Sequence, residues 1–414
     1  MTPDFGAFFR IFARIGLLSF GGPAAQIALM HRELVDRHKW LTEAQFLNAL
    51  GFCMLLPGPE AMQLATYSGW RLRGTLGGLL AGMLFVLPGA IVVLALSITY
   101  AAYGDVPLME SLFLGVKAAV LVVVVEALLR VARRALKQPL HWVLAALSFI
   151  GIFFFNLPFP LIILLAALAG LALAARRPEQ TTVTIHVSWP KTLGTIALWL
   201  AIWLVPLALL SGILAQVGWF FAQLAVVTFG GAYAVLAYMA QEAVSVQGWL
   251  NAGQMLDGLG LAETTPGPLI LVTEFVGYLA GHGEGGWALG LAAALVTLWA
   301  TFAPCFLWIF AGAPYIEWIA AQRRLSGALS GITAAVVGVI LNLSLWFGLH
   351  VLFGEVNRVD TGPLVLWQPT LGSFDWRVAL IGVVSAVLLL WQHTNLLLVL
   401  AIAALSGLVL NGAI

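Results

Sequence analysis

Ser19-Phe20-Gly21-Gly22-Pro23 and Thr228-Phe229-Gly230-Gly231 lie 209 positions apart. At the same offset Leu56-Pro57-Gly58-Pro59 returns as Thr265-Pro266-Gly267-Pro268. Between these anchors Glu33 maps to Glu242, Trp40-Leu41 to Trp249-Leu250, Gln45 to Gln254 and Gly51 to Gly260. Carried further without a gap, the offset maps Gly74 and Gly77 to Gly283 and Gly286. One constant offset over this length marks an internal duplication.

The surrounding composition says which medium the duplicated unit occupies. The 414 residues are 62% hydrophobic and 9% charged, with a mean hydropathy of +1.01. A soluble protein runs to about 25% charged residues. So few charges cannot cover a water-facing surface, which excludes a soluble enzyme, a nucleic-acid binder and a disordered chain. The net charge of +1 implies no strongly basic or acidic partner, and no nucleic acid. What remains is a polytopic membrane protein in a lipid bilayer, with room for about ten spans of roughly 20 residues. The start, MTPDFGAFFR, lacks the pattern of a cleaved signal, so the first apolar stretch is expected to be retained. Cys53 and Cys305 stand singly in apolar runs and read as buried thiols.

After the matching region the first half continues in apolar segments at roughly 75–103, 106–129, 139–156 and 158–175. The second continues at roughly 285–312, 325–350, 377–392 and 394–411. The expected organisation is a first repeat over 1–175, a linker with one extra transmembrane helix over 176–216, and a second repeat over 217–414. Arg176 to Lys191 is polar and reads as exposed linker. The unpaired segment, about 193–213, crosses once and so inverts the second copy. Lys and Arg favour the cytoplasmic side of short loops. With the breaks re-entrant, 15 of the 19 basic residues fall on one side, among them Arg323 and Arg324, which a parallel duplication would place outside. Asp105 and Glu110 fall on the other. The fold class is therefore all-α polytopic, with two inverted-topology repeats and broken re-entrant helices.

Inverted repeats are an architecture of secondary transporters, whose sites lie near the midplane on interrupted helices. Each half has two interruptions. Gly21-Gly22 and Gly230-Gly231 remove side-chain cover beside Ser19, Phe20 and Thr228. Pro57-Gly58-Pro59 and Pro266-Gly267-Pro268 break a helix and restart it. A restarted helix offers unpaired N–H groups and its positive dipole end, a ready anion site. One such motif alone usually marks a kink or tight packing. Recurrence at corresponding positions of both halves favours a site.

Ionisable groups at membrane depth are functional candidates. Glu60 follows Pro59 and serves equally well as a helix cap. Lys117, about eleven residues into an apolar segment, could pair with an acid or attract an anion. Glu126 and Arg130 are spaced as an i,i+4 pair. Asp257, Glu263 and Glu274 gather around Thr264-Thr265-Pro266. The seven histidines form no i,i+4 ligand pair, so no metal is expected, and no cofactor; no phosphate-binding Gly-Lys-Ser/Thr motif points to ATP. No nucleophile–base constellation points to an enzyme.

Gly16-Leu17-Leu18-Ser19-Phe20-Gly21-Gly22-Pro23, the basic loop to Trp40-Leu41, and Cys53-Met54-Leu55-Leu56-Pro57-Gly58-Pro59 with Gln63-Leu64-Ala65 resemble the chromate ion transporter family. Thr228-Phe229-Gly230-Gly231 and Thr264-Thr265-Pro266-Gly267-Pro268 look like that family's second domain. The resemblance covers nearly the whole chain and implies the long, two-domain form in a bacterial inner membrane. Met54 stands where the family often has Gln, and Ala232 where the first copy has Pro23. The resemblance implies export of chromate, a tetrahedral dianion, driven by an ion gradient. Sulfate is the nearest alternative, because a pocket separates near-isosteres poorly; a membrane enzyme or assembly factor is a more distant one. The substrate is expected between the two Pro-Gly-Pro breaks, near Gln63 and Lys117. Glu263, three residues before Pro266 in an apolar stretch, is expected to carry an exchanged proton, with Glu60 second. A homodimer is compatible with the sequence.

Overall fold

The computed structural model describes residues 3–104, 106–174, 189–229 and 232–412. Asp105, Gly230, Gly231 and most of the expected linker, 176–188, lie outside the described residues. The protein is an all-α polytopic membrane protein. Among the described residues, five stretches are long and apolar enough to cross a membrane: Glu60–Tyr103, Pro107–Ala135, Trp189–Ala208, Leu269–Tyr315 and Arg324–Leu352.

The first repeat begins with three short helices: α1 (Phe5–Leu17), α2 (Gly22–His31) and α3 (Glu43–Cys53), of 13, 10 and 11 residues. None reaches the roughly 20 residues that a span requires. Asp4 starts α1 by accepting from the Gly6 and Ala7 amides. A capping box of Thr42 and Gln45 starts α3. The chain continues through α4 (Glu60–Tyr103), α5 (Pro107–Ala135), α6 (Pro139–Phe153) and α7 (Phe159–Ala174). α8 (Trp189–Ala208) is the extra helix. The second repeat runs through α9 (Gly212–Val227), α10 (Ala232–Gln241), α11 (Ala252–Thr264), α12 (Val272–Gly312), α13 (Ile316–Ala321) and α14 (Arg323–Leu352). A hairpin of β1 (Val356–Thr361) and β2 (Leu364–Pro369) precedes α15 (Trp376–Ala386) and α16 (Leu396–Leu410).

The duplication extends to backbone detail. α2 runs into a π-helical turn at Arg32–Arg37, and α10 into another at Glu242–Val246. His38 N–H reaches Glu33 O at 3.1 Å, and Gln247 N–H reaches Glu242 O at 2.9 Å. Both turns end on a left-handed residue, Lys39 (φ 52°) and Gly248 (φ 65°). Asn251 and Gln254 reproduce before α11 the reciprocal bonds of Thr42 and Gln45.

One sequence expectation is corrected. α4 breaks at Arg73-Gly74 (φ/ψ −142°/25° and 66°/−160°), and α12 at Gly285-Gly286 (−146°/21° and 73°/−165°). The counterpart of Gly74 is therefore Gly286, not Gly283, and the offset there is 212. The three added residues form a 3-10 turn, Leu269–Leu271, directly after Pro268. Only glycine holds such a positive φ with an extended ψ comfortably. The break folds each helix back on itself. A Cβ on Gly69 would meet Gly77 O at 2.3 Å and Ala81 Cβ at 2.5 Å. Likewise, a Cβ on Gly281 would meet Leu289 O at 2.6 Å and Ala293 Cβ at 2.7 Å. α4 and α12 are thus helical hairpins, each a short arm followed by a long one.

The chain forms two compact units, each drawing on both repeats. The first comprises Met1–Ile98, Leu173–Ala232 and Thr265–Ser326. In it α8 and α9 pack on α12. Trp203 Nε1 donates to Ala300 O at 3.0 Å, and Trp199 lies against Phe306 and Phe310. The second comprises Thr99–Ala172, Tyr233–Thr264 and Gly327–Ile414, with α11, α15 and α16 against α5. A Cβ on Gly115 would meet Ala403 O at 1.8 Å, and one on Gly407 would meet Ser111 O at 2.2 Å. Such backbone approach replaces the hydrophobic drive that lipid does not supply. A methyl added there overpacks, at about 1–3 kcal/mol.

Candidate functional site

The four breaks meet in the first unit. α1 stops at Leu18, and Ser19 turns its hydroxyl back onto Ile15 O at 2.5 Å. α9 stops at Val227, and Thr228 does the same to Leu224 O at 2.6 Å. Phe20 N–H closes on Leu18 O at 2.9 Å and Phe229 N–H on Val227 O at 3.0 Å. These local bonds leave the backbone carbonyls of Ser19 and Thr228 pointing out of their helices. Each is taken by the glycine of the other repeat's Pro-Gly-Pro. Gly267 N–H donates to Ser19 O and Gly58 N–H to Thr228 O, both at 2.8 Å. The two crossings are equivalent under the duplication.

Proline supplies no N–H, so the central glycine is the donor that each Pro-Gly-Pro can offer. Its positive φ, 114° at Gly58 and 94° at Gly267, aims that donor. The space is glycine-sized as well. A Cβ on Gly58 would lie 2.9 Å from Gln63 Nε2 and 3.0 Å from Cys305 Sγ; one on Gly267 would lie 2.9 Å from Leu271 Cδ1.

Two buried glutamines brace the crossings. Gln26 Nε2 donates to Gly267 O at 2.7 Å and Ser19 O at 3.2 Å. Gln63 Nε2 donates to Pro57 O at 2.6 Å. Both side-chain oxygens are buried and carry no hydrogen bond. Cys305 Sγ lies over Thr301 O at 3.7 Å. Cys53 and Cys305 are free, buried thiols, as expected. Pro57-Gly58-Pro59 and Glu60 are half-buried, whereas Thr265-Pro266-Gly267-Pro268 is buried. Phe20 and Gly22 are half-buried and Gly21 is exposed, with φ of 84° at Gly21 and 76° at Gly22.

This geometry refines where an anion could be met. The Ser19 and Thr228 hydroxyls, and the Gly58 and Gly267 amides, already donate within the protein. Helix geometry gives no intrahelical partner to the first-turn amides after each break, Ala61 to Met62 and Leu269 to Ile270. They lie close in sequence to Gln63 and the crossings, and the sequence over 54–70 and 258–281 holds no Lys or Arg.

Three expected residues fall in the second unit. Lys117 Nζ pairs with Asp257 Oδ1 at 3.1 Å, and Tyr100 OH donates to Asp257 Oδ2 at 2.7 Å. Of the two readings left open for Lys117, the ion pair is the one formed. Glu263 accepts from Tyr233 OH at 2.6 Å, and Thr264 Oγ1 donates to Leu261 O at 2.8 Å. Glu126 and Arg130 form the expected i,i+4 pair. Gly230 and Gly231 lie outside the described residues.

Gln26 and Tyr233 were not singled out by the sequence, and Cys305 was read there only as a buried thiol. Gln26 carried a signal: it is a lone amide in the apolar half-helix seven residues after Ser19. Tyr233 and Cys305 carried none that composition or spacing reveals.

Comparison with known proteins covers nearly all of this architecture. The family model described as "Chromate transporter" matches residues 6–171 and 215–408. A "Chromate transport protein" of Pseudomonas aeruginosa is 36% identical over 343 residues, 80% of this chain and 78% of the relative. A protein of the same description from Cupriavidus metallidurans is 32% identical over 414 residues, covering 96% and 91%. A "Probable chromate transport protein" of Synechococcus elongatus is 30% identical, covering 97% and 94%. No solved structure matches.

Proposed function

We propose a function from one premise: the chain belongs to the chromate transporter family. It carries chromate out of the cytoplasm as a secondary active transporter, in exchange for protons, across a bacterial inner membrane. It works as a carrier rather than an enzyme. The observation that supports this most is the reciprocal crossing of Gly58 on Thr228 and Gly267 on Ser19. Paired broken segments, one from each repeat, are the arrangement in which transporters hold substrate at mid-membrane. In this reading the repeats have inverted topology and the short helices are re-entrant.

A dianion suits such a site. Neutral amides at helix starts can hold negative charge without a fixed counter-cation. An inside-negative potential assists its export by about 2.3 kcal/mol per charge per 100 mV. Proton uptake in exchange adds the pH gradient, through a carboxyl at membrane depth.

Purified protein in proteoliposomes tests this. Labelled chromate is expected to exchange, to compete with sulfate, and to respond to both an imposed potential and an imposed pH gradient. Sulfate flux exceeding chromate flux would reassign the substrate. No flux of either anion would remove the transport reading.

A further inference from the structure

Four carboxyl groups lie in or near the broken segments, and the structure treats them differently. Asp257 is held by Lys117 and Tyr100. Glu263 is held by Tyr233. Glu60 is half-buried at a helix start. Glu274 is 1% exposed, and neither of its carboxyl oxygens has a hydrogen-bond partner.

Its position is set by the α12 hairpin. Gly281 packs on Ala293, and Gly277 on Thr297, whose Oγ1 would lie 2.0 Å from an added Cβ. Positions 274, 277 and 281 share one helix face, at spacings of three and seven. Continuing that antiparallel register places position 274 opposite 300 and 301. Thr301 Oγ1 is also buried without a partner. Thr301 is one turn before Cys305, which Gly58 would strike if it carried a Cβ. By that register Glu274 faces the turn that holds Thr301, and Cys305, Gly58 and Gln63 lie together one turn further on. The first repeat has Met62 at the equivalent position, so the second copy alone carries a carboxyl there.

Resting on the transport reading above, we propose that Glu274 is the carboxyl that takes up and gives back the exchanged proton. Burying an ionised carboxylate with neither donor nor counter-charge costs several kcal/mol. A change of charge at Glu274 must therefore come with a change in what surrounds it. That link between proton and conformation is what a coupled carrier requires. In the outward-facing state a water-borne proton forms the O–H bond at one Glu274 oxygen. In the inward-facing state the bond breaks, the proton returns to cytoplasmic water, and the dianion loads at the Gly58 crossing. The proton is taken up and returned without any further reactant, and the cycle is electrogenic, because dianion exit and proton entry move charge in the same sense.

The test uses the full chain in proteoliposomes and two measurements. Chromate exchange at equal pH on both sides requires substrate movement but no net proton turnover. Net chromate flux under an imposed pH gradient requires both. Glu274→Gln is expected to keep exchange and lose the response to the gradient. A Glu274→Gln protein that responds to the gradient as wild type does would overturn the assignment. Should that variant fail to insert, wild-type protein answers instead. A hydrophobic carbodiimide, which attacks neutral carboxyls in apolar surroundings, is expected to modify Glu274, and saturating chromate to alter the rate. A Glu274 left unmodified, or modified at a rate indifferent to chromate, would overturn the assignment equally. Wild-type protein that exchanges no chromate sinks the transport reading instead, and the two failures are therefore separable.

Discussion

Gly58 donates its backbone N–H to the carbonyl of Thr228, and no side chain takes part in that bond. Its duplicate joins Gly267 to Ser19. A contact made of main chain constrains residue type only through the conformation and space it demands. Both demands single out the two glycines.

Gly58→Ala and Gly267→Ala are therefore expected to insert but to lose most of their chromate flux. The new side chain must hold a φ of +114° or +94°, in space where the nearest atoms are 2.9 Å away. A strained backbone of this kind costs about 1–3 kcal/mol, so the thermal midpoint in detergent should fall as well. Flux measured per inserted molecule is the deciding quantity; wild-type values in both variants would leave the crossings without a role in transport.

The π-helical turns at Arg32–Arg37 and Glu242–Val246 are structural equivalents, yet their charge differs. The loop over 31–39 is rich in basic residues, and 241–248 has none. Under the positive-inside rule the two loops belong on opposite faces. Lys39→Cys should react with an impermeant thiol reagent from the cytoplasmic side only, and Gln247→Cys from the external side only. Reaction of both from one side would exclude inverted topology.

Lys117 and Asp257 form an ion pair in which Asp257 is 5% exposed. Removing one partner of a buried pair typically costs 3–5 kcal/mol, because the other is left uncompensated. Lys117→Met should lower the yield of folded protein sharply, and Lys117→Met with Asp257→Leu should recover much of it. If the double variant folds and still carries chromate, Lys117 serves the fold. If it folds and carries none, the lysine meets the anion, as its place in an apolar segment first suggested.

His31 Nε2 lies 2.6 Å from Glu43 Oε2, and its Nδ1 lies 3.4 Å from Asp36. The hydrogen bond to Glu43, helped by the charges of Glu43 and Asp36, holds the imidazole above its usual range. A raised value means that the charged form stabilises the fold. That stabilisation is complete below about pH 6.5, the ordinary histidine value, and fades as pH rises through the folded-state value. Amide exchange across 31–43 should quicken between pH 6 and 8.5 beyond its intrinsic increase. His31→Gln should abolish the extra acceleration; an unchanged profile would show the pair to be inert.

Much of this was legible in the chain. The 209-residue offset and the breaks at Ser19–Pro23 and Leu56–Pro59 are readable because they rest on glycine and proline, whose backbone meaning is local. The spans were legible from apolar length alone. The extra turn at Leu269–Leu271 was not, because three apolar residues inserted into an apolar helix leave no mark in composition. Nor was the hairpin over Val356–Pro369, which reads as polar loop until pairing is seen. The partners of the carboxylates were hidden for a different reason. Tyr233 and Glu263, or Lys117 and Asp257, meet through tertiary packing that no local pattern encodes.

The extra turn after Pro268 carries a consequence for a carrier of the kind proposed. If the two halves were interchangeable, its inward- and outward-facing conformers would be one arrangement turned over by a two-fold rotation, with equal energies. One added turn, and an acid where the first half has Met62, remove that degeneracy. Half-saturation concentrations measured from the two compartments then have no reason to agree. At equilibrium, maximal velocities must differ by a compensating ratio, so that no net flow arises without a gradient. Rectification of this kind would be a property of the frame itself, present before any substrate binds.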